Sequence, residues 1–135
     1  MKIVIDTNIV ISAALGSNAC KTAILKAFGR QHVVLEPPII TLELDRFLHK
    51  LQKKMGDNIE LLDNIEAFFR AFLVSVEIKS PSKIRNISSD KPDNHFLSLA
   101  FEESALFLTG DKLAVESGKK AGILAMVPSE WNSSQ

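Results

Sequence analysis

Residues 2–16 read KIVIDTNIVISAALG, and the order of chemistry in that stretch decides the architecture. Ile3 to Ile5 form a short β-branched run that stops at Asp6, and TNIVISAAL then has helical spacing up to Gly16. Strand, acid and helix follow one another without a spacer. Working outward, the same alternation continues. A second helix is expected from Asn18 to about Phe28, stopping at Gly29, and HVVLEP then reads as a buried strand. Pro38 suits the first turn of a helix in which Ile40, Leu44, Phe47, Leu48, Leu51 and Met55 recur at three- and four-residue intervals. Asp57 or Asn58 can cap the next helix, whose stripe is Ile59, Leu62, Ile65, Phe68, Phe69 and Phe72.

The remainder alternates in the same way. VSVEI is a third strand, and KSPSKIRNISSDKP is a polar surface loop. A helix runs from Asp93 to about Glu102, ALFLTGD is a fourth strand ending in a turn, KLAVESGKK a short helix and GILAMV a fifth strand before PSEW. Residues 130–135 are expected to fray. Strands that alternate with helices over a whole chain predict an α/β fold: a three-layer α/β/α sandwich with a central parallel sheet of about five strands, in one domain covering 1–135. In such a sheet every strand's carboxyl end lies on one edge, where ligands bind.

Composition narrows the functions. The 135 residues are 46% hydrophobic and 24% charged, which a single packed core accommodates. Sixteen basic residues balance sixteen acidic ones, so no global positive field attracts a polyanion, and any such ligand must be held locally. The single cysteine, Cys20, excludes an internal disulfide framework and reads as a small core residue, in keeping with a cytoplasmic chain. No apolar run approaches the length of a membrane span.

The parallel topology sends several acids to one edge. Asp6 follows the first strand and Asp111 the fourth; Glu43 opens the helix after the second strand, and Asp93 opens the helix leading into the fourth. Each alone is explained by helix capping or by the helix dipole, but capping does not require convergence. At roughly 6 Å and an effective dielectric of about 20, each like-charged pair costs on the order of 3 kcal/mol, which a domain cannot carry six times over. Either some carboxyls stay protonated or a divalent cation neutralises them. Hard oxygen ligands without a His or Cys pattern favour Mg²⁺ or Mn²⁺. Such an ion suits phosphodiester hydrolysis by activated water. Thr7, Asn8, Asn94 and Thr109 stand beside the acids as neutral hydrogen-bonding groups suited to fixing carboxylates or bound water.

Four pieces, VIDTNIVISAAL, PPIITLEL, DKPDNHFLSLA and LFLTGDK, occur in an order that resembles the PIN domain, the ribonuclease fold of many bacterial toxins. The resemblance covers nearly the whole chain, and GILAMVPSEW is similar to the family's last strand and closing turn. It implies that Asp6, Glu43, Asp93 and Asp111 form the acidic metal-binding set, with Asp90 a fifth acid at the rim or a loop charge. It further implies an RNA substrate, a homodimer and a small antitoxin partner. With zero net charge, RNA binding would lean on the metal and on Lys79, Lys83, Arg85 and Lys91, with Lys53 and Lys54 as additional candidates. Two other readings remain. One is a Mg²⁺-dependent phosphatase or phosphoacceptor domain with Asp6 as nucleophile, although Asn8 stands where a phosphatase of the haloacid-dehalogenase type would have a second aspartate. The other is a module that keeps the fold and the acids but hydrolyses nothing.

Overall fold

The structure is a computed structural model, and it describes residues 1–134. The chain alternates as expected: β1 (Lys2–Ile5), α1 (Thr7–Ala14), α2 (Asn18–Ala27), β2 (Val33–Glu36), α3 (Ile39–Met55), α4 (Ile59–Ser75), β3 (Glu77–Ile78), α5 (Asp93–Glu103), β4 (Leu106–Leu108), α6 (Lys112–Lys120), β5 (Ala125–Met126) and α7 (Pro128–Ser133). The five strands form one parallel sheet in the order β3-β2-β1-β4-β5. Helix α1 packs with α2, α3 and α4, while α5 lies against β1 and β4 and α6 against β5, which makes a three-layer α/β/α sandwich. Among the described residues no helix is long and apolar enough to cross a membrane.

The centre of the sheet carries the core. Ile3, Val4 and Ile5 of β1 and Phe107 and Leu108 of β4 are fully buried, because helices cover both faces of these strands. Cys20 is buried among them as an ordinary core residue. Gly16 terminates α1 with φ +111°, a conformation that a side chain would strain. The order of strand addition reverses at the middle of the sheet: from β1 the chain moves to β2 and β3 on one side, and later from β4 to β5 on the other. A topological switch point therefore opens between the carboxyl ends of β1 and β4.

The edges differ from the sequence expectation. Of VSVEI only Glu77 and Ile78 are strand, since α4 continues through Ser75, whose Oγ donates to the Ala71 carbonyl at 2.7 Å. Both β3 residues are exposed, and β3 is the outermost strand, paired on one edge only, with β2. The fifth strand likewise shortens to Ala125 and Met126. PSEW is not a turn but the start of α7, and residues 130–134, expected to fray, are held in place. Trp131 Nε1 donates to the Ala23 carbonyl at 3.0 Å, Asn132 donates to Ala19 at 3.0 Å, and Lys26 sits 4.4 Å over the indole and donates to the Ser134 carbonyl at 2.8 Å. Gln135 lies outside the described residues.

Candidate functional site

Asp6 sits where β1 becomes α1, and its backbone N–H still donates to Leu108 of β4 at 2.8 Å. The strand pairing thus delivers its side chain to the switch point. There the carboxylate oxygen Oδ2 accepts from Thr109 Oγ1 at 2.7 Å and from Asn8 Nδ2 at 3.2 Å. Asn8 in turn accepts from Gly110 N–H at 3.2 Å, and Thr109 Oγ1 accepts from Asp111 N–H at 3.1 Å. One small network ties the ends of β1 and β4 together around a single carboxylate. Asp111 caps α6, with Oδ1 accepting from Leu113 N–H at 2.9 Å.

The other acids come from the helices. Glu43, on α3, accepts from Thr7 Oγ1 at 2.5 Å, so the first turn of α1 orients it. Asp93 is the first residue of α5 and is half-buried. Asp6, Glu43, Asp93, Asp111 and Asp90 all line one open cleft of about 450 Å³, together with Thr7, Asn8, Ile11, Arg46, Phe47 and Lys50. Asp90 lies exposed in the turn before α5, its N–H donating to Ser88 Oγ at 3.1 Å.

The electrostatics match this crowding. Burial raises the Asp6 carboxyl from 3.8 to about 6 against the hydrogen bond from Thr109, with Glu43 and Asp111 pushing the same way as burial. Asp93 rises to about 7, first from burial and then from Asp6, Asp90, Asp111 and Glu43. The neighbouring charges that act on both are acids.

Three residues of this region are absent from the sequence expectation. Glu36, the last residue of β2, is fully buried; its Oε1 accepts from Ile5 N–H at 3.1 Å, while Oε2 has no partner among the described residues. Burial pushes this carboxyl well above the usual range, and Asp6 and Glu43 add to the shift. An acid closing an apolar strand that leads to the ligand-binding edge is the signal that marks it. Arg46 and Lys50 follow Glu43 by three and seven residues, the spacing that puts side chains on one helix face.

Asn94 is placed differently from the role expected of it. It is buried, accepts from the N–H groups of Ile87 and Ser88 at 3.1 and 2.7 Å and donates to the Ser88 carbonyl at 3.0 Å, so it anchors the loop and does not line the acid cleft. The basic residues expected at an RNA surface also lie off the cleft lining. Lys79 pairs with Glu103 at 2.9 Å, and the Arg85 guanidinium stacks 4.4 Å over Phe101. Lys83 and Lys91 are exposed in the loop, and Lys53 and Lys54 are exposed in the last turn of α3.

The donor set suits a hard divalent cation in kind and in charge, since carboxylates line one cleft and none of them is ion-paired among the described residues. Their spacing is looser than a closed ligand cage: among the described residues no three His, Cys, Asp or Glu side chains stand close enough together to hold an ion as they are. The proton affinities of Asp6 and Asp93 are raised toward neutrality, so a neighbouring cation would relieve both.

Comparison with known proteins agrees with the architecture. A solved chain in the structure of VapBC2 from Rickettsia felis bound to a DNA fragment from their promoter superposes with a TM-score of 0.69 at 17% identity, covering 94% of this chain and 98% of that one. A PilT N-terminus domain protein from Sulfolobus solfataricus P2 gives 0.53 at 18% identity, covering 98% and 92%. An uncharacterised protein of Methanocaldococcus jannaschii is 35% identical over 115 residues, which are 83% of this chain and 72% of that protein. The sequence profile of the PIN domain matches residues 2–113, which include Asp6, Glu43, Asp93 and Asp111, and the chain belongs to the PIN domain family.

Proposed function

We propose that this PIN domain is a Mg²⁺- or Mn²⁺-dependent endoribonuclease that hydrolyses RNA phosphodiester bonds, acting as the toxin of a toxin–antitoxin pair in the cytoplasm. The observation that carries the reading is the convergence of Asp6, Glu43, Asp93 and Asp111 on one cleft at the switch point between β1 and β4. Asp6, Glu43, Asp93 and Asp111 would hold the metal, with Asp90 at the rim. When bound, the ion supplies charge to polarise a phosphoryl oxygen and to lower the pKa of water. The chain's own work is orientation. Thr109 and Asn8 fix the Asp6 oxygen, and Thr7 fixes Glu43, so neither carboxylate has to be ordered when substrate arrives. Asp111 keeps one oxygen on the α6 N-terminus and leaves the other for the cleft.

The toxin role, a small antitoxin protein and a homodimer rest on PIN family membership and on the likeness to VapBC2. A looser acid cluster also favours one second reading, a PIN module that binds without hydrolysing. Incubation with mixed RNA and Mn²⁺ beside an Asp6→Asn control separates the two. Cleavage by the parent alone supports the nuclease; absence of cleavage at any divalent ion tried, with Mn²⁺ still bound, supports the silent module.

A further inference from the structure

The acid cleft has a basic wall. Arg46 and Lys50 line it, and both project from α3 on the side that carries Glu43. At about 1.5 Å rise per residue, their backbones lie roughly 4.5 and 10 Å along the helix from Glu43. Both side chains are exposed, and neither has an ion pair or side-chain hydrogen bond among the described residues. Two of the loop's basic residues are committed elsewhere: Lys79 to Glu103, and Arg85 to Phe101. Between the two free cations Phe47 also lines the cleft, its ring braced edge-on against Phe69 at 6.2 Å between centroids.

We propose that Arg46 and Lys50 hold successive phosphates of a single RNA strand, so that the strand runs along α3 past Glu43 and not over the loop of residues 79–92. Their spacing of four residues puts the two side chains about 6 Å apart, close to the step between neighbouring phosphates of an extended strand. A polyanion approaching four acids needs local cations, because the chain's net charge is zero. Phosphate contacts fix register without reading bases, which matches a wall of two cations and one apolar ring. This inference rests on the nuclease reading for its substrate class, but it concerns the strand's path and not its cleavage.

The test measures binding of a fluorescent single-stranded oligoribonucleotide to the full chain by anisotropy in Ca²⁺ across a KCl series, with the oligonucleotide checked for integrity on a gel. Each phosphate contact contributes about −0.7 to the slope of log K against log salt for single strands. The Arg46→Gln, Lys50→Gln double variant is expected to flatten the slope by ~1.4, and Lys83→Gln, Lys91→Gln to leave it unchanged. Both pairs are exposed, and unchanged thermal unfolding verifies their folding. An unchanged slope in the first pair, an equal loss in the second, or no binding by the parent overturns the proposal. Cleavage in Mn²⁺ is scored separately: binding that depends on Arg46 and Lys50 without any cleavage sinks the nuclease reading alone, and cleavage with an unaltered slope sinks this one alone.

Discussion

The two walls of the acid cleft are built on opposite plans. At the junction of β1 and β4, Asp6, Asn8, Thr109 and Asp111 are linked by hydrogen bonds of 2.7 to 3.2 Å, on strands whose neighbours are fully buried. On the α3 side, Glu43 has one hydroxyl partner, and Arg46 and Lys50 have none. The first wall is pre-ordered and stores charge repulsion; the second is open and carries free cations. A nuclease that grips a small ion and admits a long polyanion would have use for both. On the proposed function, an ion would be held by the hydrogen-bonded strand junction and an RNA strand steered by the free cations of α3.

The contrast is open to direct attack. The largest effect is expected at the rigid wall: Asp6→Asn removes a charge that several kcal/mol of transition-state stabilisation would depend on, so RNA cleavage in Mn²⁺ should fall roughly 10³-fold or more. A parent-like rate would remove Asp6 from the chemistry. Next comes stability without metal. Asp6 and Asp93 have folded values above 3.8, so the native protein holds protons that the unfolded chain has already released. The stability these two groups contribute is therefore fully present below 3.8 and is lost as pH rises through about 6 for Asp6 and about 7 for Asp93. In EDTA at pH 8, Asp6→Asn should be the more stable protein by on the order of 3 kcal/mol, with the gap closing near pH 4, as thermal unfolding can measure. Glu36→Gln should act in the same direction, since its carboxyl is also raised by burial; a parent whose unfolding is flat from pH 4 to 8 would contradict both.

Smaller effects test the orienting groups. Thr109→Val leaves the Asp6 carboxylate without its shortest hydrogen bond, and Mn²⁺ affinity by calorimetry should drop roughly 10- to 100-fold. Thr7→Val removes the one hydroxyl on Glu43 and should weaken Mn²⁺ by about tenfold or less, near the ~1 kcal/mol net worth of a hydrogen bond. If Thr7→Val costs more than Thr109→Val, the open wall and not the strand junction governs the ion.

Much of this was legible in the residues. The β-branched run before Asp6 and the helical spacing after it specify strand, acid and helix, and the parallel sheet with its acid-bearing edge follows from repeating that unit. Strand ends were less legible. VSVEI has strand composition, yet a helix already running through Phe72 continues to Ser75, because local propensity yields to a packed helix when the edge strand has only one partner. Asn94 sits beside Asp93 in sequence but on another side of α5, where burial obliges it to satisfy the loop's backbone groups. The basic loop of residues 79–92 looked like an RNA surface by composition alone; composition cannot show that Lys79 is paired with Glu103.

By itself the chain's order of apolar and acidic residues determined the alternating architecture and which carboxylates end near one edge, since both depend on periodicity and on strand polarity. Only the tertiary structure decided that Glu36 is buried with an unpartnered oxygen and that Arg46 and Lys50 face the acids. It also decided which hydroxyls hold Asp6 and Glu43. Those facts depend on contacts between segments 31 to 103 residues apart, and the free energy of a buried or paired charge is set by what folding brings beside it.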